Sequence, residues 1–134
     1  MSGFPYSKRR QETARDDRIM KTGKAGEITA EEYLIKKGYQ IIERNYRCKQ
    51  GEIDLIVKKD NILSFVEIKT RNTMKYGLPC ESITNNKIRH IKSTAYQYIT
   101  VTKKMNENTD CRFDVVEVLR INDRQYIRHT ENAF

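Results

Sequence analysis

The sequence predicts an α/β domain in which helices flank a mixed central β-sheet, and three observations predict it. Alternation of side chains with a period of two runs through neighbouring segments at residues 52–58 and 62–70, as in paired strands with unlike faces. Helical spacing of apolar residues marks 23–37 and 85–102. Two further strand-like runs, 113–119 and 126–129, follow the second helix, so strands lie on both sides of it. A chain of 134 residues has room for one core rather than two.

From the N-terminus, residues 1–22 read as a basic arm and 23–134 as the domain. Through residue 24, seven basic residues stand against three acidic ones, which places half of the net +8 charge there. With so few apolar residues the arm reads as disordered chain or a frayed helix, either contacting phosphates or simply solvated. In the first helix Ala30, Tyr33 and Leu34 share one face, and Gly38 follows where a helix C-terminus favours glycine. Glu27 lies three residues before Ala30 and seven before Leu34, on or beside the inward face, where an unpaired acid is costly. A first-turn glutamate attracted by the helix dipole is the plainer reading of the same residue. Residues 39–47 form a strand that leads into the hairpin.

In the hairpin, Ile53, Leu55 and Val57 alternate with Glu52, Asp54 and Ile56, while Val66 and Ile68 alternate with Phe65, Glu67 and Lys69. A tight turn at Asp60 and Asn61 sets Leu55 opposite Val66, Ile53 opposite Ile68, Asp54 beside Glu67 and Glu52 beside Lys69. A slip of one residue would bring apolar side chains against charged ones, so burial selects this register. Two carboxylates facing each other on a sheet repel, which calls for a cation between them and suits a lysine close by.

Beyond the hairpin comes a polar loop with Gly77 and Pro79, then the second helix with an apolar stripe of Ile88, Ile91, Ala95, Tyr98 and Ile99. Lys87, Arg89, His90 and Lys92 crowd its first turns, either as an edge that contacts a phosphate backbone or as a solvated face. Residues 103–110 form a turn region, and Asn122 with Asp123 joins the last two strands.

Hydrophobic residues make up 37% of the chain and charged ones 33%, which implies a compact core under a heavily solvated surface. The excess of 26 basic over 18 acidic residues favours a polyanionic partner such as nucleic acid. Cys48, Cys80 and Cys111 are odd in number and form no CxxC pair, which argues against a disulfide framework or a zinc site and fits a reducing cytoplasm. No apolar run approaches a membrane span and no secretory signal is visible, so a cytoplasmic protein without membrane contact is expected. His90 and His129 lie in different elements and read as surface or packing residues. No serine or cysteine has a suggestive partner, and no glycine-rich phosphate loop is present.

What remains is a set of hard oxygen donors with one cation: Asp54, Glu67 and Lys69, with Glu27 brought in from the first helix. Such donors suit Mg2+ or Mn2+. On this reading Asp54 and Glu67 bind the metal, the backbone carbonyl of Ile68 adds a ligand, and Glu27 acts directly or through water. Lys69 then orients or helps deprotonate the attacking water and stabilises charge on a phosphate, and the outcome is hydrolysis of a phosphodiester bond.

The segments GEIDLI at 51–56 and FVEIKTR at 65–71 resemble the metal-site motif of the PD-(D/E)XK nuclease superfamily. Together with GKAGEITAEEYLIKKGY, ERNYR, YGLPCESI, RFDVVEV and the terminal NAF, they make the chain from Gly23 onward similar to the YraN-like family of small bacterial proteins. The resemblance implies a restriction endonuclease-like fold, akin to archaeal Holliday-junction resolvases. It implies a Mg2+-dependent DNA endonuclease acting on branched or recombining DNA, with Glu27, Asp54, Glu67 and Lys69 as the catalytic set; Ile53 stands where the superfamily's proline would be. DNA is the expected partner, with contacts at Lys24, Arg44, Arg47, Arg71, Lys87 and Arg89, and a homodimer is a candidate assembly. Two alternatives stand beside it: a non-catalytic DNA-binding accessory module that retains the metal site, and a structural salt-bridge cluster in a basic interaction domain.

Overall fold

The computed structural model describes residues 22–71 and 83–134. The basic arm ahead of Thr22 and the loop with Gly77, Pro79 and Cys80 lie outside the described residues, as does the side chain of Lys24. The described elements are α1 (Thr22–Lys36), β1 (Gln40–Cys48), β2 (Gly51–Lys59), β3 (Ile62–Arg71), α2 (Asn85–Thr102), β4 (Asp110–Ile121) and β5 (Arg124–Thr130). The strands form one five-stranded sheet in chain order. All neighbours are antiparallel except β3 and β4, so the sheet is mixed, as expected. A parallel pair needs a crossover, and α2 lies in the segment that joins β3 to β4.

Each helix end has a local cause. α1 stops at Gly38, whose φ of 97° suits glycine, and there the Gly38 N–H donates to the Ile35 carbonyl and the Tyr39 N–H to the Leu34 carbonyl, both at 3.0 Å. α2 begins at Thr84, whose hydroxyl accepts the Lys87 N–H at 3.1 Å, and ends at Lys103 in the left-handed region. Asn122 and Asp123 both have positive φ, the conformation of a tight hairpin turn whose twist matches the strands.

α1 lies over β3, β4 and β1, and α2 over β2 and β1. Ala30 and Leu34 of α1 pack with Leu55, Val57, Val66, Ile68, Val116 and Val118. Ile91, Ala95 and Tyr98 of α2 pack with Ile53, Ile56, Leu63 and Phe65. Successive residues of β3 divide between the two clusters, so the helices cover opposite faces of the sheet.

The hairpin register holds from Lys59 opposite Ile62 to Leu55 opposite Val66, and there the β2–β3 ladder stops. The expected continuation, Asp54 against Glu67 and Ile53 against Ile68, is not made. Instead the Asp54 carboxylate accepts the Ile68 N–H at 2.8 Å, in place of a backbone carbonyl of β2. Ile53 packs in the α2 layer while Ile68 stays in the α1 layer. On the other side of β2, Asn45 of β1 takes a positive φ of 50°, and Asn45 and Asp54 are skipped in a ladder that otherwise pairs Arg44 with Leu55 and Tyr46 with Ile53. β2 thus parts from β3 at Asp54, which opens the sheet where the acids lie.

The start of α1 comes very close to β3. Gly26 is buried, and a Cβ built there would fall 2.0 Å from the Thr70 hydroxyl oxygen. Gly26→Ala is therefore expected to destabilise the fold by up to about 2 kcal/mol, because overpacking at about 1–3 kcal/mol outweighs the ~1 kcal/mol gained in helix propensity. Adding Thr70→Ala should recover most of that loss in a chemical-denaturation double-mutant cycle, and additive losses would contradict the steric account.

Candidate functional site

The four catalytic candidates lie together where β2 parts from β3. Asp54 is partly buried, and its carboxyl is pushed up to about 7, first by burial, then by the negative charge of Glu67, with Glu27 and Glu52 adding smaller pushes against the lowering effect of the Ile68 N–H. Glu27 reaches this site because the Gly26 approach seats the first turn of α1 near the end of β3. Glu27 and Asp54 line one cavity of about 230 Å³, with Ile28, Glu31, Arg44, Asn45 and Leu55. A volume below the usual ~300–1,000 Å³ of small-molecule pockets suits an ion or a single phosphate better than a whole substrate.

Glu67, 6% exposed, is held between two lysines: Lys69 Nζ lies 3.5 Å and Lys87 Nζ 3.4 Å from its Oε2. Lys69 shares its strand face with Glu67, and Lys87 comes from the first turn of α2. The expected proximity of Glu52 to Lys69 is not the pairing found. Glu52 takes Arg47 at 3.2 Å, since β2 has already turned away from β3. Among the described residues, no group of three or more His, Cys, Asp and Glu side chains is placed to hold a metal ion.

The basic residues expected at DNA differ in how far they are available. Arg89 is exposed and donates to Asn86, Arg47 is 74% exposed, and Lys87 is half exposed beside Glu67. Arg44 lies on Glu31 at the mouth of the cavity. Arg71 is turned inward: only 13% of its side chain is exposed, and its Nε donates to Glu117 at 2.8 Å.

Glu117 and Asp114 on β4 are fully buried acids that the alternating pattern of RFDVVEV did not single out. Glu117 pairs with Lys69 in the parallel ladder and with Arg128 in the antiparallel one, and it accepts from Arg71 and from Arg128 Nε at 2.5 Å. Asp114, on the α1 face, accepts from both ends of the Arg112 fork at 2.9 Å and from the Asn132 N–H at 3.1 Å. Its Oδ2 also lies 2.8 Å from His129 Nε2. Burial would raise the Asp114 carboxyl, but His129, Arg112 and the Asn132 N–H together hold it below its ordinary range. The His129 side chain, 5% exposed, thus packs inward rather than lying on the surface, with Nδ1 3.3 Å from the Tyr33 hydroxyl. His90 is exposed and bonded to the Gln50 carbonyl. The signal available in the sequence was an acid on each face of a strand that is otherwise apolar, the same signal that marked the hairpin. Cys48 and Cys111 are free thiols.

Residues 26–118 match the uncharacterised protein family UPF0102. This chain belongs to that family. It is 46% identical over 112 residues to a UPF0102 protein of Alkaliphilus metalliredigens, covering 84% of this chain and 96% of the relative. A UPF0102 protein of Clostridioides difficile is also 46% identical over 112 residues, covering 84% and 95%. One from Caldicellulosiruptor saccharolyticus is 49% identical over 96 residues, covering 72% and 80%. The UPF0102 match spans Glu27, Asp54, Glu67 and Lys69, and also Asp114 and Glu117. No helix among the described residues is long and apolar enough to cross a membrane.

Proposed function

We propose that this UPF0102 chain is a metal-dependent DNA endonuclease of the PD-(D/E)XK superfamily that hydrolyses phosphodiester bonds, with branched or recombining DNA as its substrate. The observation that carries the reading is Asp54: a partly buried carboxylate that ends a strand ladder, pushed up to about 7 among Glu67, Glu27 and Glu52. Such a concentration of negative charge is costly unless a cation joins it.

The residues present fit Mg2+ or Mn2+. The donors are hard oxygens, and Mg2+ is commonly held by one or two carboxylates together with waters and substrate phosphate, so a preformed cage of three side chains is not required. Asp54 and Glu67 would hold the ion, with the Ile68 carbonyl and Glu27 completing the site. When bound, the ion supplies Lewis-acid stabilisation of charge on the phosphate. Water adds to phosphorus, one P–O ester bond breaks, and the departing sugar oxygen takes up a proton. Lys69, paired with Glu67, places its side-chain nitrogen beside the acids, where charge develops on the phosphate during attack.

The test is incubation of the full chain with linear, flapped and four-way DNA, with and without Mg2+ or Mn2+. Cutting that requires the metal and falls by about 100-fold or more in Lys69→Ala is the expected result. No cutting of any substrate, or cutting unaffected by Lys69→Ala, would contradict it. A second reading, a DNA-binding accessory module without turnover, draws on the two lysines already neutralising Glu67. It requires DNA binding that ignores both Mg2+ and substitutions at the acids.

A further inference from the structure

α2 carries no acidic residue in its 18 positions, while Lys87, Arg89, His90 and Lys92 occupy its first half and the exposed Lys103 and Lys104 follow its end. At about 100° per residue, Arg89, Lys92, Ser93 and Tyr96 share the outer face, away from the buried Ile91, Thr94, Ala95 and Tyr98. Tyr96 is 73% exposed, more than any other large hydrophobic side chain among the described residues, whereas Tyr98 on the inner face is 1% exposed. With Gln50, Lys92, Ser93 and Gln97, Tyr96 lines an open hollow of about 440 Å³ that holds hydrogen-bonding and cationic groups and no acid. The β1–β2 turn that supplies Gln50 is docked on the helix, since His90 Nδ1 bonds the Gln50 carbonyl at 2.8 Å. The same helix begins beside the acid cluster, where Lys87 meets Glu67.

We infer that the outer face of α2 is a platform for single-stranded DNA, on which an unpaired base stacks against Tyr96 while Arg89 and Lys92 meet the flanking phosphates. The inference rests on the nuclease reading and deepens it by naming unpaired DNA as the substrate feature recognised. Charge complementarity selects a polyanion; a second copy docked on the same patch would bring Arg89 and Lys92 against their own kind. The exposed ring separates single strands from duplex: phosphates need only cations, but a ring contributes by stacking on a base face, which a duplex hides.

The experiment is fluorescence anisotropy of the full chain in EDTA, so that no hydrolysis intervenes, with one labelled oligonucleotide offered as a single strand and as a blunt duplex. The expected result is that Tyr96→Ala weakens single-strand binding by about fivefold or more, shifts duplex binding by less than about twofold, and is rescued by Tyr96→Phe. Unchanged single-strand binding, equal losses on both DNAs, or no binding of single strands by the natural chain would overturn the inference. Cutting is scored separately. Metal-dependent cutting with Tyr96 without effect on binding removes the platform and leaves the nuclease reading; Tyr96-dependent binding without any cutting does the reverse.

Discussion

Asp54→Asn is expected to melt at a higher temperature than the natural chain above about pH 7 when no divalent cation is present, and to lose DNA cutting by about 100-fold or more. The sign follows from proton binding. The folded Asp54 carboxyl titrates at about 7 instead of 3.8, so the folded state binds this proton more tightly than the unfolded one. That contribution is fully present below the unfolded value and is lost as pH rises through about 7, with a ceiling of about 4 kcal/mol at ~1.4 kcal/mol per unit. Asparagine carries no such charge, and its side-chain carbonyl still accepts the Ile68 N–H, so its stability loses this component of the pH dependence. The measurement is thermal unfolding of both proteins in EDTA across about pH 5–8. Parallel curves for the two proteins would mean that Asp54 is not strained by its surroundings.

Glu117→Ala is expected to destabilise the fold by about 3–5 kcal/mol, because it removes the fully buried carboxylate that Arg71 and Arg128 share. Against a total stability of about 5–15 kcal/mol for a small domain, that brings the chain close to unfolding. Urea denaturation measures it, and a loss under about 1 kcal/mol would show that the buried cluster is not needed. The Arg44–Glu31 pair at the exposed cavity mouth sets the contrast: Glu31→Ala is expected to cost less than about 1 kcal/mol in the same assay.

How much of this was legible in the sequence depended on whether the cause was local. The hairpin register, the end of α1, the start of α2 and the Asn122–Asp123 turn are written in neighbouring residues: alternation, a threonine cap, and glycine or asparagine where φ turns positive. The site acids were legible because an ionisable residue in a strand demands a reason. Counting by twos assumes an unbroken ladder, and Asp54 breaks it by taking the Ile68 N–H, so Ile53 changed layer and Glu52 found Arg47 instead of Lys69. Arg71 read as a surface cation because its partner Glu117 lies 46 residues further on, in a strand whose burial only the sheet reveals. The role of Gly26 was hidden for the same reason: its neighbour, Thr70, belongs to another element.

Whether the acids around Asp54 form a divalent-cation site is tested most directly by calorimetric titration of the full chain with Mn2+. Above about pH 7, where Asp54 is ionised, saturable binding of a single ion is expected; it should weaken towards about pH 5 and vanish in Asp54→Asn. Binding that is absent from the natural chain, or undiminished in Asp54→Asn, would contradict it.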